Sequence, residues 1–334
     1  MRGASLPSKA MRRAAGVIVA VALLCAGAAP AGAVVGGTPV PDGQLRYVAN
    51  IAIGGAFGCT GTLIAPDWVM TAGHCGSLTG SLTAGAVPTP LGLPASSYDV
   101  KLGSVHADGS GAEDHKVTQV VVDSDYIVTN GSGNDVTLLK LDQPSAIAPL
   151  KIAAVGERKI WSAGTKATIA GFGLTSENAS EPPPTMMRAD VPIQSDADCA
   201  KAYPSGLGSA AAGGSYDAKT MLCAGYPQGG TDTCQGDSGG PLFVPALDGT
   251  PRLVGATSFG DGCARAGEPG IYARVAEGPI RTFIARFVPG AFEPEPGATA
   301  PKTSKAKKKR KHHRKRKHHH HKRKHHHRKH RARR

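Results

Sequence analysis

The sequence predicts an all-β body made of short antiparallel strands, arranged as a barrel or a sandwich. Only 5% of the 334 residues are aromatic, whereas glycine occurs 44 times and proline 25 times. This composition favours short strands and many turns over long helices. From residue 34 to about residue 289, short apolar segments alternate with clusters of Gly, Pro, Asn and Asp. Several of these segments repeat with the period of two that a half-buried strand requires.

Eight segments carry the strand pattern. In chain order they are YVANIAI (47–53), TLIAPDWVMTA (62–72), VTQVVV (117–122), DVTLLKL (135–141), KATIAGFG (166–173), PLFVP (241–245), RLVGATSFG (252–260) and GIYARV (270–275). One segment, GPIRTFIARFV (278–288), predicts the only helix of the body, because its apolar residues recur at i, i+3, i+4 and i+7. These residues are Ile280, Phe283, Ile284 and Phe287.

Residues 1–33 have the layout of a secretory signal peptide. Four basic residues within the first 13 precede an apolar run from Ala14 to Leu24, and two Ala-x-Ala cleavage sites end at Ala28 and Ala33. The run is too short, and too rich in Ala and Gly, for a membrane-spanning helix. Leu24 before Cys25 does not suit a lipoprotein site. We therefore expect export and removal of the leader.

Six cysteines remain once the leader with Cys25 is removed. They are Cys59, Cys75, Cys199, Cys223, Cys234 and Cys263. An even number in an exported chain indicates disulfides, for which the spacing alone leaves 15 connectivities open. No two of them form a CxxC pair, so a zinc site is the weaker interpretation.

The charge is distributed unevenly. The net charge is +14, but residues 301–334 contain 19 of the 39 Lys and Arg, 10 of the 13 His and no acid. Between the leader and this region the chain has 16 basic and 25 acidic residues, a net charge of −9. We expect a Pro/Gly linker (289–304) and a disordered Lys/Arg/His-rich tail (305–334). The tail has the charge to bind polyanions without sequence-specific recognition of nucleic acid, and the alternative is a solubilising or processed tail.

Three sequence contexts carry catalytic residue types. DWVMTAGHCG places His74 at the end of an apolar strand, and GSGNDVTLLKL places Asp135 at the mouth of another. Taken alone, His74 is better explained as a structural histidine and Asp135 as a turn-capping aspartate. TCQGDSGGPL is more specific, because Ser238 stands between an acid and two glycines that leave the backbone free to aim N–H groups at one point.

In the order His74, Asp135, Ser238 these contexts resemble the trypsin/chymotrypsin family of serine endopeptidases. The resemblance spans about residues 34–288 and rests on TAGHC, NDVTLLKL, GDSGGP, SFGDGCA and PGIY. It implies a chymotrypsin-like fold. Two antiparallel Greek-key barrels of six strands (about 34–155 and 156–288) pack face to face, and a C-terminal helix follows.

The resemblance also implies a role for each residue. Ser238 Oγ attacks the scissile carbonyl, His74 carries the proton to the leaving amine, and Asp135 holds the imidazole in the required tautomer. The N–H groups of Gly236 and Ser238 form the oxyanion hole. The implied disulfides are Cys59–Cys75, Cys199–Cys223 and Cys234–Cys263.

Four residues correspond to the S1 pocket of the family. Asp232 lies at its floor and implies cleavage after Arg or Lys, because an arriving cation offsets the desolvation of a buried carboxylate. Ser258 hydrogen-bonds the triad acid, and Gly260 and Gly270 keep the pocket open to a long side chain.

The sequence departs from the family pattern at several places. Gly73 replaces the usual Ala before the catalytic His, Phe259 replaces the usual Trp beside the pocket, and the stretch 76–99 is not assigned. The animal-type calcium loop is not recognisable. Three acids in that region could bind calcium, but a solvated acidic turn is the favoured interpretation, so no cofactor is required and a calcium site is not assignable. These acids are Asp108, Glu113 and Asp114.

The resemblance gives Val34 a function as well. In this family a new N-terminal Ile or Val inserts into the body, and its α-ammonium pairs with the Asp before the nucleophile, here Asp237. Because Ala31-Gly32-Ala33 is itself a signal-peptidase site, we expect leader removal and activation to be one cut. A cut after Ala28 would instead leave the propeptide APAGA.

The expected partners are polypeptides with Arg or Lys at P1, protein inhibitors of such proteases, and a polyanionic surface for residues 305–334. We expect a secreted, extracellular monomer without a transmembrane segment, associated with the cell wall if the tail binds there. The basic tail is itself a candidate substrate or a tethered competitor. The alternatives are a catalytically inactive, protease-like binding protein and a polyanion-binding protein. The complete set of site residues argues against both.

Overall fold

The computed structural model describes residues 34–77, 93–126, 133–204 and 215–295. The expected leader (1–33), residues 296–304 of the expected linker and the basic tail (305–334) lie outside the described residues. So does the middle of the unassigned stretch 76–99.

The first half of the body is a closed barrel. A two-residue strand, β1 (Thr38–Pro39), precedes six antiparallel strands, namely β2 (Val48–Ile53), β3 (Ala56–Ala65), β4 (Trp68–Thr71), β5 (Tyr98–Leu102), β6 (Glu113–Val122) and β7 (Thr137–Leu141). Their order around the barrel is β2-β3-β4-β7-β6-β5. In β5, buried Tyr98, Val100 and Leu102 alternate with half-buried residues, so one face of the strand fills the interior.

The second half forms a sheet of seven strands. The strands β8 (Lys166–Gly171), β9 (Met187–Pro192), β10 (Met221–Ala224), β11 (Pro241–Pro245), β12 (Pro251–Phe259) and β13 (Gly270–Arg274) join β1 in the order β1-β9-β8-β11-β12-β13-β10. Ile193, directly after β9, forms an antiparallel bridge with Ala224 of β10, so the two ends of the six-strand set meet. The all-β prediction is confirmed, and the architecture is that of the chymotrypsin-like two-barrel fold.

The two halves share one apolar core. Met70 and Leu138 of the first barrel belong to the same buried cluster as Leu242 and Val254 of the second sheet, and all four are fully buried. Burial of so much apolar side chain between the halves fixes them against each other. The segments that connect strands at this junction are therefore held on a rigid base.

The C-terminal helix α3 (Gly278–Phe287) forms where the sequence predicts it. Ile280 and Ile284 are fully buried, while Phe283 and Phe287 are partly buried and pack on each other. No helix in the described ranges has the length and apolar character needed to cross a membrane.

The expectation of a single helix in the body is wrong. Two shorter helices, α1 (Gly73–Gly76) and α2 (Asp196–Ala202), are also present. Neither is long enough to display a helical period of apolar residues. The Ser195 side chain caps α2 by accepting a hydrogen bond from Asp198 N. A serine at this position is the only local sequence feature that indicates the start of the helix.

The cysteines form three disulfides, as expected for an exported chain. Cys59–Cys75 joins β3 to α1, Cys199–Cys223 joins α2 to β10, and Cys234–Cys263 joins two segments beside the sheet. These are the pairs that the family resemblance implies.

The ordered body extends past the predicted boundary at residue 288. Ile152 N donates to Ala291 O at 2.9 Å, and Glu293 N donates to Ile152 O at 2.8 Å. The Glu295 carboxylate accepts hydrogen bonds from the N–H groups of Val155 and Gly156, both at 2.9 Å. The start of the expected linker is thus part of the folded body, because its backbone pairs with a buried strand-like segment.

Candidate active site

His74 and Asp135 meet at one side of the first barrel. His74 lies in α1 directly after β4, and Asp135 lies two residues before β7, which pairs with β4. His74 N donates to Asp135 Oδ1 at 2.9 Å, and His74 Nδ1 is 3.1 Å from Asp135 Oδ2. Because Nδ1 faces the carboxylate, Nδ1 carries the ring proton and Nε2 is left as the basic nitrogen.

The second sheet completes this pair with Ser258. Its Oγ donates to Asp135 Oδ2, so three donor groups converge on one carboxylate that is 4% exposed. The His74 side chain, in contrast, is 32% exposed and open to a substrate.

The pKa values of the pair shift apart. Burial alone would lower the pKa of His74, but the charge of Asp135 and its hydrogen bond outweigh burial, so the pKa is raised. Burial alone would raise the pKa of Asp135, but the charge of His74 and the hydrogen bonds from His74 and Ser258 lower it. The site therefore favours an ionised carboxylate beside an imidazole that is a stronger base than usual.

Ser238 lies in the loop that follows Cys234, at the junction of the two halves. Thr60 N of β3 donates to Ser238 O at 2.9 Å, and the Sγ of Cys75, next to His74, is 3.9 Å from the same oxygen. A Cβ added at Gly239 would lie 2.2 Å from Thr71 Oγ1. Only glycine permits this close approach of the loop to the end of β4.

The loop presents N–H groups and hides its carbonyl groups. The carbonyls of residues 235–238 accept hydrogen bonds from Leu174 N, Thr60 Oγ1, Gly240 N and Thr60 N, in that order. Among the residues that the structure describes, the N–H groups of Gly236 and Ser238 have no acceptor. Gly236 has a φ of 93°, in the left-handed region that favours glycine. Two free donors in one tight loop have the chemistry to bind an anion.

A cavity of about 180 Å³ opens beside Ser238. Its lining includes all four residues predicted for S1, namely Asp232, Ser258, Gly260 and Gly270. Asp232 is 3% exposed and accepts hydrogen bonds from Thr233 N at 2.8 Å and Ala264 N at 3.2 Å. Burial raises the pKa of Asp232 to about 7, although these hydrogen bonds lower it in part. A Cβ at Gly270 would lie 2.5 Å from Asp232 Oδ1, so any other residue would fill the floor.

Asp237 points away from the cavity into the body. Its carboxylate accepts from Gly173 N at 2.8 Å and Cys234 N at 2.9 Å, and burial raises its pKa to about 7. Val34 is also fully buried and has a φ of 60°. Val35, next in the chain, bridges to Asp232. The N-terminal segment of the described body thus lies against the segment that precedes Ser238.

The acids considered for calcium have separate partners. Asp108 accepts from Ser110 N, Glu113 accepts from Ser145 Oγ, and Asp114 pairs with Lys101. Within the described ranges, only Cys59, His74 and Cys75 come close enough together to share a metal ion. The two cysteines are joined in a disulfide, so they do not supply thiolate ligands.

Sequence reasoning missed several contacts of the site. Tyr126 packs against Gly73, where an added Cβ would lie 3.0 Å from the ring and 2.9 Å from Asp135 Oδ1. Tyr203 forms an edge-to-face pair with Phe259 and donates to Pro269 O at 2.9 Å. No short motif signals these residues, because each contacts its partner only through the tertiary fold.

Comparison with known proteins identifies the family. A family model described as Trypsin matches residues 34–284. A Trypsin of Saccharopolyspora erythraea is 39% identical over 217 residues, 65% of this chain and 82% of that protein. A Trypsin-like protease of Streptomyces glaucescens is 36% identical over 274 residues, 80% of this chain and 90% of that protein. Cationic trypsin-3 of Rattus norvegicus is 30% identical over 243 residues, 72% of this chain and 85% of that protein. With the two-barrel architecture and these similarities, the chain belongs to the trypsin family of serine endopeptidases.

Proposed function

We propose that the chain is a secreted endopeptidase that cleaves polypeptides after Arg or Lys through an acyl-enzyme intermediate. The observation that carries this proposal is the position of Asp232. It is a buried carboxylate at the floor of the cavity that Ser238 lines, and within the described residues no cation pairs with it. An Arg or Lys side chain in the cavity would supply the missing charge.

In the proposed mechanism, Ser238 Oγ forms a bond to the scissile carbonyl carbon while His74 Nε2 takes the hydroxyl proton. The carbonyl oxygen becomes an oxyanion and accepts hydrogen bonds from the N–H groups of Gly236 and Ser238. His74 then protonates the leaving amine as the C–N bond breaks. Water, deprotonated by His74, attacks the acyl-enzyme and releases the new carboxyl terminus. Asp135 keeps the imidazole oriented and stabilises its charged form.

The test is hydrolysis of chromogenic peptides with Arg, Lys, Phe or Ala at P1. We expect the Arg and Lys peptides to be cleaved about 100-fold or more faster than the others, because an uncharged side chain leaves Asp232 without a cation. Ser238→Ala should lower kcat about 10⁶-fold but still bind benzamidine. Equal rates for Arg and Phe would contradict the role of Asp232, and an active Ser238→Ala would contradict the role of Ser238.

We also propose that the enzyme becomes active when the chain is cut before Val34. Burial of Val34 beside the nucleophile segment and the high pKa of Asp237 support this, because a buried carboxylate without a cation is unfavourable. N-terminal sequencing of the secreted protein tests it. VVGG supports a single cut by signal peptidase, whereas APAGA indicates a cut after Ala28 and a separate activation step.

For the basic tail we propose binding to polyanions at the cell surface. Its 18 Lys and Arg residues support strong, salt-dependent attachment through counterion release. We expect the full chain to elute from a heparin column at higher salt than a chain ending at Gly297. The tail is also a candidate for self-trimming. Intact-mass measurement of wild type beside Ser238→Ala tests this, since equal loss of the tail in both would exclude it.

A further inference from the structure

Strand β3 of the first barrel reaches the loop that presents the two free N–H groups. The contact is made by Thr60, which follows Cys59 and is fully buried. Thr60 Oγ1 is 2.8 Å from Gly236 O and 3.2 Å from Phe172 N, and Thr60 N donates to Ser238 O. One residue thus joins the loop at both sides of Asp237, across 176 positions of sequence.

The direction of these hydrogen bonds is fixed by chemistry. A backbone N–H only donates, so the Thr60 hydroxyl accepts from Phe172 N. A carbonyl only accepts, so the hydroxyl proton points at Gly236 O. The hydroxyl is therefore satisfied on both sides and has no freedom to rotate without losing a buried hydrogen bond.

This contact bears on Gly236 more than on other residues of the loop. Gly236 has no side chain to pack and a φ of 93°, so its neighbouring peptide planes rotate at low cost. Rotation of the Gly236–Asp237 peptide would leave the carbonyl of Gly236 buried without a partner, at a cost of about 1–3 kcal/mol. The Gly236 N–H lies in the preceding Gln235–Gly236 peptide, whose carbonyl accepts from Leu174 N. The Thr60 hydroxyl holds the peptide on the other side of the Gly236 Cα, so the two contacts together limit rotation at Gly236 and keep its N–H in position.

We propose that Thr60 is a positioning residue for the oxyanion hole, supplied by the opposite barrel. The inference rests on the proposed function, since it assumes that the N–H of Gly236 binds the oxyanion. It assigns Thr60 no contact with substrate.

The experiment compares Thr60→Val, which removes the hydroxyl at nearly constant volume, with Thr60→Ser, which keeps it. The matched control is Thr62→Val. Thr62 lies two residues along the same strand and is equally buried, and its hydroxyl has no partner among the residues the structure describes. Three quantities are measured for each variant, namely kcat and KM for an Arg peptide amide, the Ki of benzamidine, and the Ki of a peptidyl-arginine aldehyde. Benzamidine needs only the S1 pocket, whereas the aldehyde adduct places an oxygen in the oxyanion hole.

For Thr60→Val we expect kcat to fall about 10-fold and the aldehyde to bind about 10-fold more weakly, the equivalent of one lost hydrogen bond. KM and the Ki of benzamidine should change by less than about 2-fold. Thr60→Ser should restore kcat, and Thr62→Val should match wild type. If Thr60→Val does not fold, as judged by circular dichroism and thermal unfolding, Thr60→Ala replaces it.

Two results would overturn the inference. One is an unchanged kcat in folded Thr60→Val, and the other is an equal loss of benzamidine and aldehyde affinity, which would indicate a purely structural role. Ser238→Ala is assayed in parallel. If that variant retains wild-type activity, the proposed function itself is wrong. If it is inactive while Thr60→Val behaves as wild type, only the inference about Thr60 is wrong.

Discussion

At the residue scale, hydrogen bonds fix the orientation of the Asp135 carboxylate. Two of its hydrogen bonds come from His74 of helix α1 and one from Ser258 of β12, so donors from both halves of the body occupy its two oxygens. Buried and fully hydrogen-bonded, it stays ionised and cannot turn away from the imidazole.

Asp135→Asn should therefore change both rate and pH dependence. The charge of Asp135 raises the pKa of His74, so its removal should lower that pKa and move the acid limb of the activity profile to lower pH. Since Asn also stabilises the wrong tautomer, kcat on the plateau should fall about 10⁴-fold, the size of effect seen with this triad. The measurement is an NMR titration of the His74 ring together with kcat/KM against pH. Ser258→Ala, which keeps the charge, should shift the pKa less, and an unchanged pKa in Asp135→Asn would contradict this account.

Asp232 should make ligand binding pH-dependent. Its pKa is raised to about 7 in the free enzyme, so below that pH a cationic ligand must first displace a proton. We expect the Ki of benzamidine to rise about tenfold per pH unit below pH 7 and to be flat above it. In Asp232→Asn, binding should be weak at every pH. A flat profile in wild type would contradict a raised pKa of Asp232.

At the scale of elements, most strands were predictable from their apolar pattern, whereas β1, β5, β9 and β10 were not. PLFVP and RLVGATSFG read as strands because nearly every residue is buried in β11 and β12. Strand β9 escaped prediction because Arg188 and Asp190 interrupt its sequence and face outward. Helix α2 is too short for a helical period.

The site divides in the same way. Each of four site residues lies in a short sequence motif that resembles the family, so the resemblance predicted that they lie close together. These residues are His74, Asp135, Ser238 and Asp232. The contact of Thr60 with Gly236 was not predictable, because it depends on how two barrels pack and no local sequence encodes it.

The segment after helix α3 gives an element-scale prediction. A chain ending at Val288 loses the hydrogen bonds between Ile152 and the segment 291–293 and the packing of Phe292, whereas a chain ending at Glu295 keeps them. We expect the first truncation to lower the free energy of unfolding by about 2–4 kcal/mol and the second to leave it unchanged. Thermal or denaturant unfolding of both chains measures this. Equal stability of the two would show that the segment is a linker after all.

At the scale of the whole molecule, the proposed catalytic and substrate-binding groups are divided between the halves. His74 and Asp135 belong to the first barrel, and Ser238, Ser258 and Asp232 belong to the second. Neither half carries all five of these residues. Activity should therefore depend on how the two halves pack together as well as on the chemistry of each half.

The N-terminus gives the whole-molecule prediction. A protein beginning at Val34 should have a kcat/KM about 100- to 1000-fold higher than one that retains Gly32-Ala33, because only the former offers a cation to buried Asp237. Asp237→Asn should abolish this difference by making both forms poor enzymes. Asp248→Asn, at an exposed hairpin, is the control and should leave the difference intact. Equal activity of the two N-terminal forms would contradict the proposed activation.

The φ of 60° at Val34 has a further consequence for the proposed cut between Ala33 and Val34. A β-branched residue in the left-handed region is strained by about 1–3 kcal/mol. The torsion φ is defined by the carbonyl carbon of the preceding residue, so once the bond to Ala33 is broken the torsion no longer exists. Before the proposed cut the backbone is strained at Val34. The cut removes this strain and at the same time creates the α-ammonium group of Val34. In the proposed activation, strain relief and charge pairing then favour the same cut state.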